Sequence, residues 1–500
     1  SMTDVLLKKA RDCERRTADR IDSSAEQTEH RPRFHFASPA GWINDPNGFS
    51  SFGGEFHLFF QHHPYSAQWG SMHWGHAVTR DFVRWQNKGA ALAPDTDADK
   101  GGCFSGTAID DEGTHVIAYT GVVKEGGEEL QQQCLAAGSS GTYRKYGRNP
   151  VITAADVPFP FQRNHFRDPK IWKEGGAYFL AAALKQMDGR GALALFSSSD
   201  LHAWKFVSVM DESTGISGMW ECPDFFRLDG TDVIIVSPQE MKADGSRGFH
   251  DGNNSVYMAG ALNRATFRFE RKSLPENGFT AAQIDGGTDF YAPQTAPSPD
   301  GRRIMIAWMQ SWESPVTPEH LLWSGMMTFP RELRIKNGRL LQSPVREIEQ
   351  YRTNPRRRTL SFSGGGRTEQ GFGGIRGRHL DIGLRIMPPA GRTGSISFQF
   401  AKSGGRYAEL KYDAGRGTLT FDRSRTLNPG ALPLRSMNVQ AEDGALSLRI
   451  LLDTSSIEAF ANGGKSALTG VFFMPRDAQD IAVAADAGFS VECICFDIEA

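Results

Sequence analysis

Three acidic residues stand in unusual local settings: Asp45 in Trp42-Ile43-Asn44-Asp45-Pro46-Asn47-Gly48, Asp168 in Phe166-Arg167-Asp168-Pro169-Lys170, and Glu221 in Glu221-Cys222-Pro223-Asp224. Each precedes an apolar, strand-like run by nine to twelve residues, the runs being marked by Phe56, Ala177 and Val233. Taken singly, each has an ordinary explanation, since Asp-Pro-Asn-Gly is good turn chemistry and Arg-Asp neighbours are common structural ion pairs. The shared offset is what ordinary turns do not explain. Carboxylates at equivalent positions of a repeated unit can converge, and each then raises its neighbours' affinity for a proton. One acid kept protonated beside one kept ionised is the machinery of glycoside hydrolysis, and a gap of roughly 5–5.5 Å between them would favour a covalent intermediate and retention. Arg167, adjoining Asp168, is the cation expected to hold that carboxylate ionised.

The elements that must position these acids repeat. From about residue 34 the chain is strand-like, with short aromatic and β-branched runs between Gly, Asp and Asn turns. Gly53-Gly54-Glu55-Phe56-His57-Leu58-Phe59-Phe60 is a turn followed by an apolar strand, and the same shape returns at Gly113–Tyr119, Gly176–Ala182, Gly230–Val236 and Gly301–Trp308, at intervals of 54 to 71 residues. A second element, Thr79-Arg80-Asp81-Phe82-Val83-Arg84-Trp85, recurs as Ser198-Ser199-Asp200-Leu201-His202-Ala203-Trp204, about two units later. Five similar all-β units predict a five-bladed β-propeller, whose radial repetition leaves only short, protected edges. A large sandwich with coincidental spacing is the competing architecture. The two units without a catalytic acid carry Phe104-Ser105-Gly106 and Asp289-Phe290-Tyr291 at matching offsets, which makes a ring of five motifs.

A chain of 500 residues exceeds what one hydrophobic core serves. The expected division is a helical lead-in over 1–30, a propeller catalytic domain over 31–350, a basic linker and start of the second domain over 351–378, and a C-terminal β-sandwich over 379–500. The net charge of -2 supplies no field to collect nucleic acid or an anionic membrane, so a small-molecule partner is expected. Six cysteines are sparse for this length, and no stretch approaches the ~20 apolar residues of a membrane span. The opening residues lack the apolar core of a secretory signal, so a cytoplasmic location is expected. His62-His63 and His73 with His76 complete no recognised metal-ligand spacing, so neither a metal nor another cofactor is expected. The sequence leaves oligomeric state open; the exposed edge of the sandwich is the surface through which a homo-oligomer would form.

The three acid motifs resemble, in order, the signatures of the invertase family, glycoside hydrolase family 32. The resemblance extends over nearly the whole chain, through Phe59-Phe60-Gln61, Trp69-Gly70, Trp74-Gly75-His76, Phe104-Ser105-Gly106, Asp289-Phe290-Tyr291-Ala292-Pro293-Gln294-Thr295, Pro330-Arg331-Glu332-Leu333 and the distal Asp453-Thr454-Ser455-Ser456-Ile457-Glu458. It implies Asp45 as nucleophile, Glu221 as acid and base, and Asp168 as transition-state stabiliser, acting on the β-fructofuranosyl bond of sucrose, sucrose 6-phosphate or short fructo-oligosaccharides. It also implies sugar contacts from Asn44, Gln61, Trp69, Phe104, Ser105, Arg167, Tyr291 and Trp308. Two departures bear on substrate choice: Gln61-His62-His63-Pro64, where the family more often has an aromatic and an asparagine before the proline, and Thr107, where serine is commoner. The chain looks most similar to the bacterial sucrose-6-phosphate hydrolase branch, although only Lys145, Arg148 and Lys185 are candidates to meet a phosphate. A fructosyltransferase would use the same residues, and a non-catalytic sugar-binding propeller is the reading from another class. An arabinan-cleaving relative would not account for Asn44-Asp45-Pro46-Asn47-Gly48.

Overall fold

The structure, a computed structural model, describes residues 2–139, 141–216 and 218–500. Among them, five sheets of four or five strands, antiparallel except for one short strand of the first, fill the region up to Pro344. Their first strands are Gly41–Phe52, Gly102–Asp111, Phe161–Glu174, Trp220–Leu228 and Tyr291–Pro297. These five touch one another in chain order, and the fifth touches the first, so they surround a central channel. The ring closes through Trp323–Ser324, which adds to the first sheet by pairing in parallel with Gly41 and Trp42. This is a propeller, as the repeat predicts. The recurring turn-strand units are the second strands of the sheets, Glu55–His63, Thr114–Glu125, Ala177–Gln186, Thr231–Pro238 and Arg303–Trp308. The glycine that opens each unit has φ between 61° and 89°, in the left-handed region that tight hairpins require and side chains resist.

The second repeated element is one turn used twice. Thr79 Oγ1 accepts from the Phe82 N–H and Asp81 Oδ1 from those of Val83 and Arg84, while Ser198 Oγ accepts from Leu201 and Asp200 Oδ1 from His202 and Ala203. The short side-chain oxygens replace backbone partners that the turn removes.

Two six-stranded sheets after residue 351 enclose a single apolar core, the expected sandwich. The basic stretch expected as linker departs from that reading: Arg352–Ser361 is an edge strand pairing antiparallel with Ser490–Ile498. Its arginines read as solvated from composition, but they suit an edge, where charge discourages further pairing, and two of them, Arg352 and Arg356, find partners in Asp381 and Asp497 at 2.9 and 2.8 Å. The lead-in is a helix over Met2–Asp22 that docks on the first sheet. Arg11 Nε donates to the Ala90 carbonyl at 2.8 Å, and Glu14 meets His62 at 2.6 Å, both side chains being buried. His62, one of the departures from the family pattern, is thus the seat of the helix. Among the described residues, no helix is long and apolar enough to cross a membrane.

Propeller and sandwich are joined by a buried ionic network built on the distal motif. His35 Nδ1 lies 2.7 Å from Asp453, and its other ring nitrogen bonds Glu458; Arg331 reaches Glu458 at 2.9 Å and Asp285 at 3.1 Å. Burial alone would lower the His35 pKa, but the charges and hydrogen bonds of Glu458 and Asp453 outweigh it and raise it to about 9. A histidine raised in the folded state adds stability that is complete below its unfolded value near 6.5 and disappears as pH rises through about 9. Urea unfolding of the wild type is therefore expected to lose on the order of 3 kcal/mol between pH 6.5 and 9.5, with the loss absent in His35→Gln. An equal loss in the variant would assign it to other groups.

Candidate active site

All three acids sit on first strands, and each is at a break in pairing. The register with the second strand slips between Ile43 and Pro46, Phe104 and Gly106, Arg167 and Lys170, Glu221 and Asp224, and Tyr291 and Gln294. Each of the five inner strands thus carries a bulge at its motif. A bulge adds a residue, bends the strand and re-aims a side chain, here at the channel mouth. Asp168, Cys222 and Ala292 take φ of 66°, 49° and 54° at these bulges, conformations costly for non-glycine residues that the surrounding hydrogen bonds hold in place.

Those bonds run from blade to blade. The Asp168 N–H donates to Thr120 Oγ1 at 2.8 Å, and Asp168 Oδ2 accepts the Cys222 N–H at 2.9 Å. Thr107 accepts from the Ile171 N–H and donates to the Pro169 carbonyl, both at 2.9 Å, so the threonine at this departure position serves as a strut. Gln294 accepts from the Phe49 N–H and donates to the Gly106 carbonyl.

Asp45 is buried, with Oδ2 accepting from Ser105 Oγ at 2.8 Å and Cys222 Sγ at 3.3 Å, and Oδ1 from Asn44 Nδ2 at 3.3 Å. Glu221 accepts from Tyr291 Oη at 2.6 Å, Gln239 Nε2 at 2.9 Å and Arg167 Nε at 3.1 Å. Cys222 Sγ also reaches Asp168 at 3.5 Å, so one thiol spans two carboxylates. Burial, followed by those carboxylate charges, pushes the Cys222 thiol well up, which makes it a weak donor and not a nucleophile. Burial, then the charge of Glu221, raises Asp45 to about 6 against the opposing bonds from Ser105, Cys222 and Asn44. Burial raises Asp168 too, with Glu221 and Asp45 adding to it and Arg167 opposing. The free site therefore holds protons at mildly acidic pH, shared among acids that cannot all ionise cheaply.

The acids line a cavity of about 350 Å³ together with Asn44, Gln61, Trp69, Phe104, Ser105 and Arg167. The chain from 35 to 344 matches the glycosyl hydrolases family 32 N-terminal domain, and 347 to 498 matches the family's C-terminal domain. The chain belongs to glycosyl hydrolase family 32. It is 34% identical to a sucrose-6-phosphate hydrolase of Escherichia coli, covering 92% of this chain and 93% of that one, and 35% identical to an Escherichia coli raffinose invertase with the same coverage. Among solved structures, a Bombyx mori GH32 beta-fructofuranosidase in complex with sucrose superposes with a TM-score of 0.82 at 30% identity, covering 98% of both chains.

Two sugar contacts expected for this family 32 enzyme stand elsewhere. Trp308 is fully buried outside the cavity lining, behind Trp42 and Trp312 at ring distances of 6.0 and 4.8 Å. Trp312, 39% exposed, supplies the indole at the rim. The readable signal is that Trp308 ends an apolar strand while Trp312 follows in a Ser- and Pro-containing loop. Tyr291 is also buried and reaches the acid instead of the cavity. Arg167 turns its side chain to Glu221, acting on Asp168 only through its charge. Gln131, Asn164, His165 and Gln239 were not legible as site residues; Gln131 holds Arg167 Nη1 at 3.2 Å, and Gln239 holds Glu221. The paired histidines go to structure, His62 to Glu14 and His76 to His57 at 2.9 Å. Lys145 is held by Asp95 and Asp99, both at 2.7 Å, and neither it, Arg148 nor Lys185 lines the cavity.

Ser105 donates to the ionised form of Asp45, so Ser105→Ala removes a bond that holds its pKa down. The acid limb of kcat/KM, expected near pH 6 in the wild type, should move upward by roughly half to one pH unit. A lower kcat/KM with an unmoved limb would confine Ser105 to sugar contact.

Proposed function

We propose that this protein is a retaining β-fructofuranosidase acting on sucrose and short neutral fructosides. The observation that carries the reading is the convergence of Asp45, Asp168 and Glu221 on three bulges around one cavity, each with donors suited to a different task. Asp45, fixed by Ser105 and Asn44, attacks the anomeric carbon of fructose once ionised. Glu221 gives its proton to the leaving oxygen and then draws one from water, with Tyr291, Gln239 and Arg167 fixing its orientation. Asp168 keeps Oδ1 for fructose hydroxyls while Oδ2 is held by the Cys222 N–H, and its charge favours the oxocarbenium-like transition state. Hydroxyls bonding to Asp45 and Asp168 favour their ionised forms, which frees a proton within the site for the leaving group. Gln61 spends its amide N–H groups on Asn47 and Cys103, at 2.8 and 3.0 Å, so its carbonyl oxygen remains for the sugar. Trp69, Phe104 and Trp312 offer apolar ring surface to sugar faces.

The charge at the cavity supports a neutral leaving sugar. Arg167 is the lining cation among the described residues and is engaged by Glu221; Glu129 adds a carboxylate to the wall, and burial, then the charges of Arg167 and Lys185, lower His165 to about 4, so it is neutral at pH 7. A phosphate on the leaving glucose would meet no spare cation there. The test is kcat/KM for sucrose, sucrose 6-phosphate and a fructo-oligosaccharide in parallel, with glucose and fructose both quantified. Preference for the neutral fructosides with equimolar glucose and fructose from sucrose is expected. Preference for the phosphorylated sugar would overturn the neutral assignment, and fructose falling short of glucose would mark transfer to a sugar.

A further inference from the structure

The opposite mouth of the propeller channel carries charge that fructoside cleavage does not use. Past their bulges the five inner strands run on to line a second cavity of about 380 Å³. Its rim is amply supplied with negative charge, four carboxylates to three cations: Asp232 pairs with Arg227 and Arg264 at 3.0 and 2.8 Å, Glu174 with Arg264 at 2.7 Å, and Lys173 with Asp111 at 3.2 Å, while Asp110 accepts the Gly113 N–H. Its floor is not. Lys170 Nζ lies 2.9 Å from Asp224 Oδ1, and Arg303 Nη2 lies 3.8 Å from the same oxygen, so two cations share one carboxylate. The second oxygen of Asp224 is taken by the Thr295 N–H and hydroxyl at 2.8 and 2.6 Å.

Arg303 is the unusual member. Its Nε donates to Thr295 Oγ1 at 2.8 Å, and its guanidinium lies 4.5 Å over the Phe226 ring. Its two terminal nitrogens donate no hydrogen bond among the described residues, although the group lines the cavity with its side chain only 14% exposed. A guanidinium is charged at any ordinary pH, and its planar fork matches two oxygens of one anion. Burial lowers the pKa of both Lys170 and Arg303 against the opposing charge of Asp224, as expected of cations short of a counter-charge.

We infer that this floor is a binding site for a tetrahedral oxyanion, inorganic phosphate or the phosphate group of a small monoester, held by the Arg303 fork with Lys170 beside it. The anion supplies the missing negative charge and accepts the unused N–H groups. Because Lys170 and Asp224 lie two and three residues beyond Asp168 and Glu221, a bound anion braces the strands that carry two of the catalytic acids while leaving their cavity free.

The experiment titrates the full chain with inorganic phosphate, and separately with glycerol 3-phosphate, at ionic strength held constant with chloride, by calorimetry and thermal unfolding. One saturable site per chain, a rising Tm and no competition with sucrose in initial rates are expected, and the tighter of the two probes identifies the form preferred. Arg303→Gln should weaken binding about tenfold or more, the loss of a charged bidentate contact. Should that variant not fold, Arg303→Lys, which keeps charge but lacks the fork, must show a weakened site. Absence of saturable binding to the wild type, competition with sucrose, or undiminished binding in the folded variant would overturn the inference.

Discussion

Asp45→Asn is expected to lower kcat for sucrose by about 10⁴-fold or more, the scale seen when a covalent nucleophile is removed. The amide has the shape of the carboxylate and can still receive the Ser105 hydroxyl, but it cannot form the acylal-type bond to fructose. Stability should move in the opposite direction. The Asp45 carboxylate is buried near Glu221 and Asp168, and its pKa near 6 records the cost of ionising it there. Removing that charge relieves repulsion at neutral pH, so the variant should unfold at the same or a higher temperature than the wild type. An inactive but destabilised variant would suggest that Asp45 is primarily structural, and one with near-normal turnover would remove it from the mechanism.

Glu221→Ala should separate the two halves of the reaction. Loss of the acid is expected to depress turnover of sucrose about 10³-fold, within the range for general acid catalysis combined with loss of the later base. A fructoside whose leaving group needs no proton should form the fructosyl-enzyme at a rate within about tenfold of wild type, and then stall because no base activates water. Burst kinetics with the activated substrate therefore distinguish an acid–base residue from one that merely shapes the cavity. Equal losses on both substrates would argue against the acid role.

What could be read from sequence was whatever depends on local pattern. The turn-strand unit repeats because each hairpin needs the same left-handed glycine, and the acids share an offset because each bulge lies the same distance before the second strand of its sheet. The offset thus pointed to the ring of motifs without the bulges being visible. What could not be read depends on partners distant in the chain. Arg167 neighbours Asp168 in sequence, but residues flanking a bulge point in different directions, and its guanidinium meets Glu221 across the blade boundary. Trp308 and Trp312 are alike in composition, and only packing decides that one supports and the other faces the cavity. Arg352 and Arg356 read as solvated because the carboxylates that pair with them, Asp381 and Asp497, arrive from later strands. Glu14 gave no sign of its role, since His62 lies 48 positions away on a propeller strand.

The central claim is that Asp45 attacks and Glu221 supplies protons at a site built on bulged inner strands. It is tested most directly by incubating Glu221→Ala with a β-fructofuranoside bearing an activated leaving group, quenching early and mapping the adduct by peptide mass spectrometry. One fructosyl unit per chain on the peptide bearing Asp45, absent when Asp45 is also replaced by Asn, is the predicted result; a fructosyl unit on Asp168, or continued turnover with no adduct formed on any residue, would contradict it.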